Sequence, residues 1–236
     1  VHGTHIGIAE SEDGAVWKLV GPAKVVLPTG VGGTEPTHWA PHVYTGPDGV
    51  HHMYLTVVPG IFEDWQHPRG IVHLTSDDMR AWSYQATLEL SSDRVIDACV
   101  HPLPGGGWRM WYNNERDDKS IYHADSTDLY SWTDKGKVHG VSERPGEGPY
   151  VFRWKDRYWM LVDLWKGLGV YRSDDLESWE AQEGDLAVDV RDPDRDRSLA
   201  EPLCGHEVIV GLARDRPPDA AVPGRRGAPL HGRGRL

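Results

Sequence analysis

Phenylalanine and cysteine are scarce in this chain, and long apolar runs are absent. The 236 residues contain 2 Phe and 2 Cys, against 11 Trp and 9 Tyr. Two cysteines, Cys99 and Cys204, do not make a disulfide framework, and neither falls in a metal-ligand spacing. No apolar run approaches the length of a membrane span. The surplus of Trp and Tyr suits half-buried strand surfaces and ring-stacking sites better than a helical core.

Positive charge is also in short supply. The chain has 25 Lys and Arg against 36 Asp and Glu, which gives a formal net charge of −11 at pH 7. This balance argues against nucleic acid and anionic membranes as main partners. A signal peptide is missing as well, but the first residues already read like the middle of a domain, so we expect a truncated N-terminus. The compartment, secreted or cytoplasmic, therefore stays open for a protein that we expect to be soluble.

Helical periodicity is hard to find, and short strand-like runs separated by Gly, Pro, Asp and Asn dominate instead. One motif, Ser-x-Asp-x-x-x-Trp, recurs four times after such runs, and its tryptophans lie 65, 50 and 47 residues apart. Its Ser and Asp side chains can satisfy backbone donors in a turn, and its Trp can fill the space between sheets. We interpret this Ser-Asp motif as scaffold. The four copies begin at Ser11, Ser76, Ser126 and Ser173.

A period near 50 residues with about four strands per unit predicts a β-propeller. The chain accommodates three whole blades, the last two strands of a blade before them, and a strand candidate at residues 206–211 after them. The sequence thus predicts an all-β fold, a five-bladed β-propeller that is incomplete at both ends and spans residues 1–211. Residues 212–236 contain six Arg, several Pro and Gly and no aromatic residue, so we expect a disordered or out-of-frame tail.

Two carboxylates stand at matching distances from methionines in consecutive blades. Asp97 lies 13 residues before Met110, and Glu147 lies 13 residues before Met160. The first strand of a propeller blade is the innermost and lines the central channel, so both carboxylates should face one mouth of that channel. A lone acid would more often cap a turn or pair with an arginine, but a matched pair favours chemistry. Two close carboxylates raise one pKa, which equips a general acid for glycoside hydrolysis.

The segments HWAPHV, VIDACVH and EGPYVF, together with the repeated Ser-Asp motif, resemble the five-bladed propeller of glycoside hydrolase family 43 and its relatives over roughly residues 5–210. Members of that family hydrolyse arabinosides, xylosides and related glycosides with inversion, using three acids. The resemblance implies that Glu147 is the general acid and that Asp97 tunes this acid and orients the sugar. The third acid, an Asp base on the first blade, has no counterpart in this chain.

Four further residues are candidates for substrate binding. Trp39 and Trp165 lie near blade entrances or loops, where a ring can stack on the apolar face of a sugar, although packing between strands explains either one equally well. His42 stands where family members often have an Asp, which implies altered substrate contacts. His206 matches a channel histidine of the family, and a structural role is almost as well supported. The resemblance requires no cofactor and no protein-bound metal, and it allows an ion such as calcium near the axis.

The sequence therefore predicts a glycosidase for an oligo- or polysaccharide substrate, impaired in this chain because the base is missing. The alternative is a non-catalytic carbohydrate-binding propeller, which keeps the channel and the aromatic residues without a complete set of acids. A sialidase-like propeller is less well supported, because its aspartate box has one more residue before the Trp and no arginine triad is recognisable. A protein-binding propeller of the WD type would show Trp-Asp and Gly-His signatures, and it leaves the acids unexplained.

Overall fold

The computed structural model of the chain describes residues 3–165, 167–182 and 208–213. In these ranges every regular element is a β-strand and no α-helix occurs, which confirms the prediction of an all-β fold. The sixteen strands are β1 (Ile6–Ser11), β2 (Lys18–Pro22), β3 (Lys24–Val26), β4 (Thr37–Thr45), β5 (His51–Val58), β6 (Gly70–Ser76), β7 (Ala81–Thr87), β8 (Val95–Pro102), β9 (Trp108–Asn114), β10 (Ser120–Ser126), β11 (Thr133–Lys137), β12 (Glu147–Trp154), β13 (Arg157–Asp163), β14 (Leu168–Ser173), β15 (Glu180–Ala181) and β16 (Val208–Ala213).

Three sheets repeat the same antiparallel plan, in which each strand pairs with the next along the chain. Sheet two contains β4–β7, sheet three contains β8–β11 and sheet four contains β12–β15. Sheet one consists of β16, β1 and β2, with β1 and β2 antiparallel. The first strands β4, β8 and β12 contact one another in sequence, so they are the inner strands of a propeller-like arrangement.

Two parallel pairings go beyond what the sequence predicts. Strand β3 runs parallel to β7, with Lys24 opposite Ala81, so it adds a fifth strand to the outer edge of sheet two. Strand β16 pairs in parallel with β1, with Ile6 opposite Val208. The strand candidate near the end of the chain therefore joins sheet one instead of opening a sheet of its own, and β16 ends at Ala213. Leu212 and Ala213 belong to β16, so the prediction of a disordered tail is wrong for these two residues. Residues 214–236 lie outside the described ranges, so the disorder of the rest of the tail stays a prediction.

The four copies of the Ser-Asp motif form the same turn. In each copy the Asp side chain accepts hydrogen bonds from the backbone N–H groups two and three residues later, at 2.7–2.9 Å. These backbone donors hold the pKa of the four carboxyls below its usual range. The residue after each Asp has a left-handed backbone, and these residues are Gly14, Met79, Leu129 and Leu176. The scaffold interpretation of the Ser and Asp side chains is confirmed.

Three tryptophans of the motif pack against the preceding sheet. Trp82 is buried in a cluster with Ile6 and Ile8 of β1. Trp132 contacts Tyr54 of β5 edge-on, and Trp179 contacts Trp111 of β9 in the same way, with ring centroids 5.4 and 6.1 Å apart. Trp17, the first copy, is 44% exposed. The inter-sheet role predicted for these rings therefore holds for the second, third and fourth copies.

Candidate functional site

A bulge interrupts each of the three inner strands close to its first residues. The pairing with the neighbouring strand shifts register inside β4, β8 and β12. One residue of each bulge has a left-handed backbone: φ is 37° at Ala40, 60° at Asp97 and 60° at Gly148. Because bulges re-aim side chains at the ends of strands, they are frequent beside binding and active sites. The three bulges lie at the same end of neighbouring inner strands.

The bulges correct the alignment of the two candidate carboxylates. In sheets three and four each reference methionine pairs with a valine: Met110 with Val100 and Met160 with Val151. Counting three residues back from these valines gives Asp97 in β8 and Gly148 in β12. The prediction that Asp97 and Glu147 occupy identical positions is therefore wrong by one residue. The cause is the hairpin of sheet four, which is one residue shorter between valine and methionine than the hairpin of sheet three.

The two carboxylates nevertheless lie close together. Asp97 Oδ2 accepts a hydrogen bond of 3.1 Å from the backbone N–H of Gly148, the residue next to Glu147. The backbone N–H of Asp97 donates in turn to Thr56 Oγ1 of β5 at 3.2 Å. Asp97 thus connects sheet two, sheet three and sheet four at the bulged ends of the inner strands. The left-handed backbone of Asp97 is one that Asp and Asn adopt more readily than most residues.

The Asp97 carboxyl has an unusual affinity for a proton. Burial is the largest cause and the charge of Glu147 the second, and together they raise the pKa of Asp97 from 3.8 to about 7. The hydrogen bond from Gly148 and the charge of Lys119 act in the opposite direction. Asp97 can therefore gain or lose its proton near neutral pH.

Lys119 stands between two acidic side chains. Its Nζ atom donates to Glu147 Oε2 at 2.7 Å and to Glu115 Oε1 at 3.0 Å. Burial alone would lower the pKa of Lys119, but the two carboxylates raise it above its ordinary value. Lys119 Nζ also lies 5.4 Å from the centre of the Trp165 ring. One ammonium group thus joins the second candidate acid to one of the candidate aromatic residues.

The charge network continues from Glu115 to Arg69. Arg69 Nε lies 2.9 Å from Glu115 Oε2, and the side chains are only 2% and 8% exposed. The two atoms are close enough for an ion pair, although the N–H is not aligned for a hydrogen bond with this oxygen. The guanidinium group lies over Trp39 and Trp65, at 5.4 and 5.9 Å from the ring centres. Arg69 therefore connects the charges to a second aromatic group.

The structure places both candidate tryptophans beside this network. Trp39 and Trp65 are in edge-to-face contact, with centroids 5.7 Å apart. Trp165 has a left-handed backbone, φ 61°, and its N–H donates to Asp163 Oδ1 at 2.7 Å. Asp163 is the strand partner of Glu147, so Trp165 follows directly from the strand that flanks the candidate acid. Stacking of a sugar on Trp39 or Trp165 stays a prediction.

Of the two candidate histidines, His42 lies among the described residues and His206 does not. His42 lies on β4 beside the bulge, partly buried, with a hydrogen bond to the backbone of Val100 on β8. Burial lowers the pKa of His42 to about 4, so the ring is neutral at pH 7 and offers a sugar a hydrogen bond but no charge. His206 lies outside the described residues, and its proposed role in the channel stays a prediction.

Three charged residues of the site escape the sequence analysis: Arg69, Glu115 and Lys119. Glu115 and Lys119 sit in the polar connection between β9 and β10, which reads like any solvated loop. A usable signal was present, because this connection leaves the end of β9 that is adjacent to the start of β8, where Asp97 stands. In the described part of the chain, no group of three or more His, Cys, Asp or Glu side chains is arranged to hold a metal ion. That part also contains no helix with the length and apolarity that a membrane span needs.

Comparison of the sequence with protein-family models and with curated proteins found no match. Comparison of the structure found glycoside hydrolases. A family 43 β-1,3-galactosidase with bound galactodeoxynojirimycin has a TM-score of 0.56 and 15% identity, over 72% of this chain and 66% of that protein. A family 117 glycoside hydrolase from the marine bacterium Zobellia galactanivorans has a TM-score of 0.56 and 14% identity, over 70% and 60%.

A third similar structure, of which this chain covers a smaller share, is a fructofuranosidase from Schwanniomyces occidentalis complexed with fructose. It has a TM-score of 0.53 and 20% identity, over 62% of this chain and 34% of that protein. The chain thus spans between about a third and two thirds of the length of these three proteins. At such identities the likeness establishes the fold, an all-β propeller-like arrangement that glycoside hydrolases also use.

Proposed function

We propose that this chain carries the acid half of a glycosidase site and acts on O-glycosidic bonds of arabinose- or xylose-type glycans, or of related ones. The observation that carries this proposal is the pair formed by Asp97 and Glu147. The two acids lie on neighbouring inner strands, and burial together with the charge of Glu147 brings the pKa of Asp97 to about 7. A carboxyl that exchanges its proton near neutral pH beside a second carboxylate is the equipment of general acid catalysis on glycosides.

In the proposed reaction Glu147 first takes up a proton, from Asp97 or from solvent, and then gives it to the glycosidic oxygen as the bond to the anomeric carbon breaks. Water attacks that carbon from the opposite face, loses its proton to solvent, and leaves a sugar of inverted configuration. Asp97 exchanges a proton with Glu147 or with solvent, and it orients the sugar. Glu147 must first leave Lys119, and Lys119 keeps a partner when it does, because Glu115 already binds it at 3.0 Å. Turnover by this chain should be slow, because a general base is typically worth about 10²–10⁴-fold in rate and the sequence offers none.

We also propose that the described sheets belong to a five-bladed ring. The consecutive contacts of β4, β8 and β12 and the packing of Trp82, Trp132 and Trp179 on the preceding sheet support such a repeat. In this arrangement the residues at the start of the inner strands surround one channel mouth. Asp97, Glu147 and Trp39 would then border the same bound sugar.

A carbohydrate-binding propeller without catalysis is the second candidate. The charge pairing in the site favours it, because Lys119 binds Glu147 and Arg69 binds Glu115. Carboxylates held in this way suit hydrogen bonds to sugar hydroxyl groups, and the nearby tryptophans suit stacking. The two candidates agree on the ligand and differ in the chemistry.

The two functions are separated by assay of aryl arabinosides and aryl xylosides with the full chain. We expect slow hydrolysis that Glu147→Gln reduces at least about 100-fold, since general acid help is of that order. Asp156→Asn, at an exposed turn of the same sheet, is the control and should leave the rate unchanged. Sugar binding without hydrolysis identifies the binding protein, and hydrolysis that survives Glu147→Gln excludes the proposed acid.

A further inference from the structure

A cavity lies next to the candidate site at the same end of sheet four. It has a volume of about 420 Å³ and is bordered by the segment before β12, the end of β13, the start of β14 and the end of β15. Trp165 and Leu164 form part of its wall. Trp165 also lies beside Lys119, the partner of Glu147. Trp165 therefore borders both the candidate site and this cavity.

The described residues that line the cavity carry charge of one sign. Arg144 is the only charged side chain among the described residues that line it, and the other lining residues are apolar or neutral. Arg144 is exposed, and no hydrogen bond or ion pair with another described residue engages its side chain. Glu143, the acidic neighbour in sequence, is exposed but does not line the cavity. The guanidinium group thus presents its donors to whatever occupies this space.

The backbone next to Arg144 is held in place. The N–H of Gly146 donates to the carbonyl of Lys119 at 3.0 Å, and the side-chain amide of Asn113 donates to the carbonyl of Gly146. A side chain at Gly146 would require its neighbours to move, because a Cβ there would stand 2.5 Å from Val162 Cγ1. Arg144 therefore starts from a backbone whose distance to Glu147 is fixed by contacts with sheet three. A subsite built from it would keep a constant spacing to the candidate acid.

We propose that this cavity is a subsite for an anionic sugar, whose carboxylate or sulfate group is bound by Arg144 while its ring stacks on Trp165. Guanidinium groups pair with such anions through parallel N–H donors, and an indole face suits the C–H face of a pyranose. The subsite rests on the proposed function and deepens it. It makes the preferred substrate an acidic glycan with its charged unit one position away from the cleaved bond.

The test is an NMR titration of the full chain that follows the indole N–H signal of Trp165. The probes are digalacturonic acid, a sulfated galactobiose and neutral galactobiose. We expect at least one acidic disaccharide to bind about fivefold more tightly than galactobiose, the upper range for a partly exposed ion pair. This preference should shrink as salt is added, because the ion pair is partly screened. Comparison of the two acidic probes tells whether carboxylate or sulfate is favoured.

Matched variants assign the preference to one residue. Arg144→Gln should abolish it, and Arg144→Lys should retain part of it because the charge remains. Arg153→Gln removes an exposed arginine from the opposite end of β12 and should change nothing. Equal affinity for neutral and acidic disaccharides, or a preference that survives Arg144→Gln, overturns the subsite. Because binding needs no bond cleavage, an acidic preference without any hydrolysis would refute the glycosidase proposal and leave the subsite standing.

Discussion

Asp97 combines three properties in one residue. Its backbone is left-handed, its side chain joins sheet three to Gly148 of sheet four, and its carboxyl shares a site with Glu147. Asn is the one common residue that keeps the first two properties, because it tolerates the left-handed region and its amide oxygen accepts a hydrogen bond. Replacement by Asn therefore isolates the third property, the proton.

We expect Asp97→Asn to change how stability depends on pH. The pKa of Asp97 is about 7 in the folded chain and near 3.8 when exposed. The folded state thus binds the proton more tightly, so this residue contributes stability below about pH 4 that is lost as the pH rises towards 7. Urea unfolding at pH 5 and pH 8 should show that Asp97→Asn stabilises the chain relative to the parent more at pH 8. An equal effect at both values, with Asp156→Asn as control, would contradict the raised pKa.

The bulges are the elements that bring the two acids together. Gly148 takes the left-handed position in β12 that Ala40 takes in β4 and Asp97 takes in β8. No atom lies within 4 Å of a Cβ built on Gly148, so a substitution there would destabilise the fold only through the strained left-handed backbone. At Gly146, two residues earlier, a substitution would cause a steric clash, because such a Cβ would lie 2.5 Å from Val162 Cγ1.

Alanine substitutions at these glycines should therefore differ in size. Gly148→Ala should lower the free energy of unfolding by about 1 kcal/mol, with a smaller loss for Gly148→Asn. Gly146→Ala should cost about 1–3 kcal/mol, because the neighbouring side chains must move. Gly105→Ala, in a hairpin loop with open space, is the control and should stay within about 0.5 kcal/mol. Urea unfolding measures all four, and a neutral Gly146→Ala would show that the packing around β12 is loose.

The Ser-Asp turn provides a test within one motif. Asp77 and Asp78 are adjacent, but only Asp78 accepts the backbone hydrogen bonds of Arg80 and Ala81. Asp78→Ala should lower the urea midpoint clearly, and Asp77→Ala should leave it almost unchanged. The pKa of Asp78 is held below 3.8 by these bonds, so its contribution is present at neutral pH and is lost on acidification. Equal urea midpoints for the two variants would contradict the structural role of the Asp78 side chain in the motif.

At the scale of the molecule, two groups of titrating residues oppose each other. His52 and His73 are buried in sheet two, joined by a hydrogen bond of 2.9 Å between Nδ1 and Nε2. Burial, followed by the charge of His52, lowers the pKa of His73 to about 3. This histidine contributes stability above about pH 6.5 that is lost as the pH falls towards 3, the reverse of the Asp97 contribution.

We expect His73→Phe to reduce the acid sensitivity of the chain. Phe keeps a ring beside Tyr54, which stacks on His73 with centroids 5.0 Å apart, but it cannot bind a proton. At pH 7.5 the variant should lose about 1–3 kcal/mol, because His52 loses its buried partner. At pH 4.5 the loss should be smaller, because the parent has by then lost part of its histidine contribution. Urea unfolding at both values decides, with the exposed His139→Gln as control.

Most of the fold could be predicted from the sequence because the motif repeats. The contacts between segments far apart in the chain could not be predicted. The Ser-Asp motif was readable because its turn demands particular residue types at fixed spacing. The pairing of β3 with β7 could not be predicted, because Lys24–Val26 has only three residues and shows no periodic pattern. The same division holds at the site. Asp97 and Glu147 follow from strand positions, whereas Lys119 and Arg69 become visible only when loops from two sheets meet.

Strand β3 has a consequence for how the chain responds to a cut. It hydrogen-bonds to the outer edge of sheet two, while Ile6 and Ile8 of β1 pack against Trp82 of the same sheet. The glycine-rich connection between Val26 and Thr37 provides the covalent link, and its Leu27 and Val31 side chains pack against the same cluster as Trp82. A protease nick in this connection should therefore leave two fragments that stay associated and elute together, coming apart only in denaturant.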